Sequence, residues 1–196
     1  MRRGWASLLV LAAACATPPT SLPVRGDLPR TIAIWPDVGA EFAAARALLL
    51  TGLEPALRAR GYSVVPADVA AELLRAASPD GRRPTPAASG RVLAAEAVLQ
   101  LVPNDFGVVG VDPLREATWD LEWRLVSTQG AGIVWSCPQR GSWRRATDDG
   151  RDPHRALDAP PEVVPFGGGP RNWRDAAELV AALHRQALSR LPSRPR

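Results

Sequence analysis

The chain has 196 residues, 46% of them hydrophobic, with 24 basic and 20 acidic side chains and two cysteines, which suits one domain with a proper core plus tails. Every basic residue is arginine, and arginines are scattered among the acids to a formal charge of only +4, which excludes the clustered basic stripe of a nucleic-acid-binding protein. Two cysteines, one of them at a lipidation motif, exclude a disulfide framework.

Met1-Arg2-Arg3-Gly4 is followed by an apolar run from Trp5 to Ala14 that is too short to span a bilayer, the pattern of a cleavable export signal over residues 1–14. Leu11-Ala12-Ala13-Ala14-Cys15 is a lipobox: small side chains let the peptidase close on the backbone, and the Cys15 thiol receives diacylglycerol. The alternative, cleavage at an Ala-x-Ala secretory site with Cys15 incidental, uses the same small residues. Two chains from diacylglycerol and a third on the freed amine, at about 0.8 kcal/mol per buried methylene, make retention effectively permanent. Ala16 stands where many inner-membrane lipoproteins carry Asp. That favours the periplasmic face of the outer membrane. Arg2 and Arg3 leave with the signal, so the sequence pI of 10.3 overstates the mature charge.

Residues 15–29 form the lipidated cysteine and a Pro-rich tether, which at about 3.1 Å per residue reaches some 40 Å from the lipid. A single domain then runs over 30–191. Thr31 to Pro36 is a short apolar strand of the kind buried on both faces. A helical region follows from Glu41 to Arg60, restarted or kinked where Thr51 to Pro55 resembles a capping box. Gly61 is a natural C-cap. Tyr62 to Pro66 is a second strand, and the strand, helix, strand order implies a right-handed parallel pair. Ala67 to Ala77 is a short helix, Ser78 to Pro86 a loop, Ala88 to Ala94 a further helical turn, and Ala97 to Val102 a third strand.

After a loop with Asn104, Gly107 and Gly110, the segment Thr118 to Ser127 alternates cleanly. Trp119, Leu121, Trp123 and Leu125 share one face; Asp120, Glu122 and Arg124 share the other. This is an antiparallel strand with one wet face, and Ile133 to Trp143 returns as its hairpin partner. Residues 144–171 lack periodicity and form an irregular insertion. Asn172, as N-cap, opens a helix to Leu191 with Trp173, Ala176, Val180, Leu183, Ala187 and Leu191 in one stripe, and 192–196 is a disordered tail. No second apolar segment reaches transmembrane length.

A family resemblance rests on four of these segments. Gly61-Tyr62-Ser63-Val64-Val65-Pro66 resembles the "GYxVxP" feature of small surface lipoproteins first known from Neisseria. Leu93 to Leu99 resembles their "LGADAVLY" strand entry, Leu121 to Trp135 their "L.LVD..TG.VLW" hairpin, and the lipobox is shared. The usual Gly-Ala-Asp is Ala94-Ala95-Glu96 here. The resemblance implies a fold similar to the N-terminal domain of TolB and to the curli-secretion and penicillin-binding-protein-activator lipoproteins. That is an α/β (α+β) domain: a mixed sheet of about five strands, two parallel β-α-β units, a long antiparallel hairpin, and helices packed on the sheet. It brings no catalytic residues.

The residues themselves carry little chemistry. His154, in an irregular loop, and His184, bordering the last helix's apolar stripe, lack the partner pattern of a catalytic base or metal ligand. No cluster has zinc spacing. Asp148 to Asp152 lacks the alternation and distal Glu of an EF-hand loop, and Gly167 to Pro170 lacks the Lys and Ser/Thr of a P-loop. Cys137 reads as a buried thiol. Trp119, Trp123, Trp135 and Trp143 share a face by period two and are placed to stack across the hairpin. They form either core or, where a ring is exposed, a protein-binding surface. The expectation is a protein without catalytic residues, metal or cofactor, anchored to the membrane by lipid, with another envelope protein or further copies of itself as partners; the alternatives are a structural subunit of an envelope assembly or secretion ring and, third, an envelope hydrolase, which would require pocketed carboxylates.

Overall fold

The computed structural model describes residues 27–78, 82, 84–130, 132–145 and 173–194. Residues 1–26, which include the expected export signal, Cys15 and most of the expected tether, lie outside them. So do 146–172, with nearly all of the expected insertion, His154, Asp148 to Asp152, Gly167 to Pro170 and Asn172.

The domain is α+β around one mixed five-stranded sheet, in the order β2-β1-β3-β4-β5. β1 (Thr31–Ile34) is an inner strand, parallel to β2 (Ser63–Val65) on one side and to β3 (Ala97–Val111) on the other. Its residues are apolar on both faces because both faces are covered. Ile32 and Ile34 join the main core and Ala33 joins a second cluster on the opposite face. β4 (Leu114–Ser127) and β5 (Ile133–Arg144) continue the sheet antiparallel, as the alternation in β4 requires.

The stretch from Glu41 to Arg60 is broken as its sequence implies, into a 3-10 segment Ala40–Ala45, α1 (Arg46–Leu50) and α2 (Leu53–Arg58). The break is not a capping box. Gly52, at φ +85°, occupies the N-cap of α2 and makes no side-chain bond, while the Thr51 hydroxyl donates to the Ala47 carbonyl of the preceding helix. Gly61, also at φ +85°, ends the unit. α3 (Ala67–Ala76) and α4 (Gly90–Leu93) lie on the other face over Ala33, Trp35 and Val98. The sheet is therefore sandwiched near β1 and covered on one face only along β4 and β5.

Three expectations need correction. The segment with Asn104, Gly107 and Gly110 is not a loop: β3 runs through it to Val111, with β4 starting at Leu114. Its glycines weaken strand propensity locally, but β4 supplies a partner at nearly every position, and pairing outweighs propensity. The last helix, α5, spans Ala176–Leu188, because Asp175 rather than Asn172 caps it, its carboxylate accepting from the Glu178 N–H at 2.7 Å. Trp173 thus precedes the helix yet is still buried. Finally, Pro192–Arg194 are not loose: the Tyr62 hydroxyl donates to the Pro192 carbonyl at 2.5 Å, and the Arg194 N–H to the Arg60 carbonyl at 2.9 Å.

α5 crosses the core-side face of the sheet from the β3–β4 tip, where the Leu114 N–H bonds the Arg174 carbonyl, back toward the start of β1. Among the described residues no helix is long and apolar enough to cross a membrane.

Candidate functional site

The alternation of β4 divides the hairpin into two faces with different work. On the core face, Trp119, Trp123, Trp135 and Trp143 are 3%, 0%, 1% and 7% exposed, all within the main core. Strand register explains why they do not pair directly with one another. Opposite them across β4 and β5 lie Gly141, Cys137, Leu125 and Ala117, respectively. Gly141 is required there: a β-carbon on it would come within 2.5 Å of the Trp119 ring.

Trp123 instead meets His184 of α5, ring edge to ring face at 5.7 Å and 86°. Its indole N–H donates to His184 Nδ1 at 3.0 Å, which leaves the proton on Nε2, 2.8 Å from the Leu49 carbonyl. His184 is fully buried, and burial pulls its pKa down to about 4. Both ring nitrogens are occupied by the fold, so the neutral imidazole is a connector between sheet, α5 and α1. Cys137 is equally enclosed. Burial raises its pKa, with the nearby Arg190 guanidinium, 3.8 Å from Sγ, pulling the other way; a thiol held protonated is a poor nucleophile.

The wet face is a ladder of charges. Arg144 pairs with Glu116 at 3.0 Å, Arg140 with Asp120, and Arg124 with Glu122 at 2.6 Å. Alternating signs on an exposed sheet face are ordinary, and such pairs contribute little individually. Among the described residues no group of three or more His, Cys, Asp or Glu could hold a metal ion.

What the sequence reading missed is the far half of β3. β1 covers its edge only through Leu99, and among the described residues no strand pairs with that edge from Gln100 to Val111. This stretch carries Val109 and Val111, 56% and 59% exposed, the two most exposed large apolar side chains among the described residues. A register shift between Pro103 and Asp105 interrupts its ladder with β4. Read as a loop, it gave no edge to notice; Val108, Val109 and Val111 among its glycines signal a strand but not that one of its edges is unpaired.

No protein-family model and no curated protein matches the chain. Solved structures do. PelC from Paraburkholderia phytofirmans, a dodecamer, is 14% identical over 90% of this chain and 97% of its own, with a TM-score of 0.52. The lipoprotein GNA1162 from Neisseria meningitidis is 20% identical over 62% of this chain and 88% of its own, at 0.45. A minor lipoprotein from Acinetobacter baumannii is 15% identical over 85% and 97%, at 0.31. The first of these likenesses shows a common fold.

Proposed function

We propose that this is a cell-envelope lipoprotein without catalytic activity, held by a lipid on Cys15 at the periplasmic face of the outer membrane, whose α/β domain binds another envelope protein. The observation that carries the reading is the joining of a lipobox and Pro-rich tether to a domain with the fold of PelC. The state of the two reactive side chains in the core supports it, since His184 and Cys137 are consumed by packing. Crosslinking intact envelopes and isolating the full-length protein is the test. A reproducible protein partner is expected; recovery of none, with the chain in the soluble fraction, overturns the reading.

A second reading makes the partner a further copy of the same chain, the domain being a subunit of an envelope assembly. The dodecameric state of PelC favours it. Light scattering of the detergent-solubilised lipoprotein distinguishes the two: a multiple of the chain mass supports self-assembly, and a monomer removes it.

A further inference from the structure

We propose that the base of the sheet, the end at which β1, β2 and β3 begin, is a basic face that rests on an anionic phospholipid surface, with the β3–β4 tip pointing outward. The inference rests on the reading of a lipid-anchored chain and adds to it the face turned to the membrane. Arginines that are scattered in the sequence are gathered here by topology. β1, β2 and β3 are parallel, with Thr31 level with Ser63 and Ile32 with Ala97, and β4 ends beside them at Ser127. A helix that leads into a parallel strand finishes where that strand starts, so α2 and α4 end at the base. α5 ends there too, since Arg60 donates to the Leu191 carbonyl and Arg194 to that of Leu28. Each of the three helices carries an arginine in its last turn: Arg58, Arg91 and Arg185.

Those three and Arg30, at the entry to β1, are exposed, with Arg60 and Arg194 half-buried beside them. Against these arginines the described residues set three acids at this end, Asp27, Glu54 and Glu96. Arg58 pairs with Glu54, and Arg60 and Arg194 bond carbonyls, which leaves their charge in place. Arg30, Arg91 and Arg185 have no carboxylate partner among the described residues. A helix end offsets only about half a charge, so one arginine per helix leaves a surplus. The chain outside the described residues does not reverse the sign: 16–26 and 195–196, which join the base at Asp27 and Arg194, contribute Arg25 and Arg196 and no acid.

The opposite end is not basic. Around the tip Asp112, Glu116, Asp175 and Glu178 stand among as many arginines, and residues 146–172, which leave from Arg145 and rejoin at Trp173, hold five acids and three arginines. A domain polarised in this way turns its positive end to a negative surface. The attraction acts within a Debye length, roughly 8 Å at physiological ionic strength, and every arginine inside that layer adds to it. A tether of some 40 Å fixes neither height nor orientation; the charge of the base sets both.

The experiment uses the full-length lipoprotein, reconstituted in vesicles of phosphatidylcholine alone or mixed with phosphatidylglycerol, with a quencher on the headgroups. A fluorophore is attached through Gln129→Cys at the base or Val111→Cys at the tip, both exposed positions; the wild type, whose Cys137 is buried, controls for stray labelling. With phosphatidylglycerol present the base label is expected to lose its emission and the tip label to keep it. Molar salt, which cuts the Debye length to roughly 3 Å, should restore the base label, as should phosphatidylcholine alone. Arg91→Glu with Arg185→Glu should restore it as well, with retention on the vesicles and the circular dichroism spectrum unchanged. Equal emission of the base label in the two lipids, or quenching of the tip label instead, overturns the proposal and leaves the anchor standing. A chain that stays on neither kind of vesicle overturns the anchor and the proposal together.

Discussion

Trp123 and His184, 61 residues apart, share one hydrogen bond of 3.0 Å inside the core, with the imidazole as acceptor and the indole as donor. The bond joins the middle of β4 to the middle of α5, and the other imidazole nitrogen reaches on to Leu49. A residue type that elsewhere supplies proton chemistry is here a neutral three-way tie.

Stability should therefore fall as the solution is acidified through the mildly acidic range. Unfolded, His184 titrates near 6.5; folded, it titrates at about 4. Below 6.5 the unfolded chain binds a proton that the folded one excludes, so the contribution is complete above that value and is lost as pH drops toward 4. The difference amounts to about 3 kcal/mol at full extent. Urea midpoints at pH 7.5, 6 and 5 should decline in the wild type, and the decline between 7.5 and 5 should flatten in His184→Gln.

Two tryptophans on the same face should respond differently to loss of the indole nitrogen. In Trp123→Phe, Nδ1 of His184 is left buried without a donor, a cost of about 1–3 kcal/mol beyond the lost packing. The Trp135 N–H meets no acceptor, so Trp135→Phe sheds an unsatisfied group and loses only packing. Equal destabilisation of the two variants in chemical unfolding would contradict the hydrogen-bond assignment.

Gly141→Ala should destabilise by about 1–3 kcal/mol, the usual range for overpacking. The new methyl would fall 2.5 Å from Trp119 Cζ2. The ring has to move, so tryptophan emission should shift along with the unfolding midpoint. A variant with wild-type emission and midpoint would mean the ring yields freely.

Tyr62→Phe removes the hydroxyl that holds Pro192, and a loss of about 1 kcal/mol is expected. Burial also raises the phenol pKa, against the pull of Arg60 and Arg194, so the tyrosinate should appear only at a pH above its ordinary value. Ending the chain at Leu191 should normalise that titration, readable by absorbance. An unchanged titration would mean the terminal residues do not cover Tyr62.

Cys15→Ala should take up no radiolabelled fatty acid and should leave the membrane fraction. Labelling equal to wild type would refute the anchor.

Much of the architecture was legible in the chain. The doubly buried β1, the parallel return after Gly61 and the alternation of β4 each follow from side-chain period, a local property. What was not legible depends on distant partners. Gly107 and Gly110 mark a loop by their own preferences, yet they sit in a strand because Thr118 and its neighbours in β4 pair with that stretch. The register that sets Trp119 over Gly141 is likewise a property of two strands together. His184 borders its helix's apolar stripe in the sequence, and only the approach of Trp123 and Leu49 makes it fully buried. The edge of β3 is a matter of where β1 stops, at Ile34, which no pattern within β3 could reveal.

The guanidinium of Arg194 donates to the Leu28 carbonyl at 3.0 Å, so the last described turn of the chain clasps the residues that lead into β1, where the proposed tether would enter. Mechanically, β1 is the middle strand of a parallel trio. A load drawn through the tether away from the base of the sheet stresses the hydrogen bonds to β2 and β3 together, in shear, instead of peeling them one at a time. An anchor attached at an outer strand would unzip the domain; the proposed one would pull on the part best built to resist.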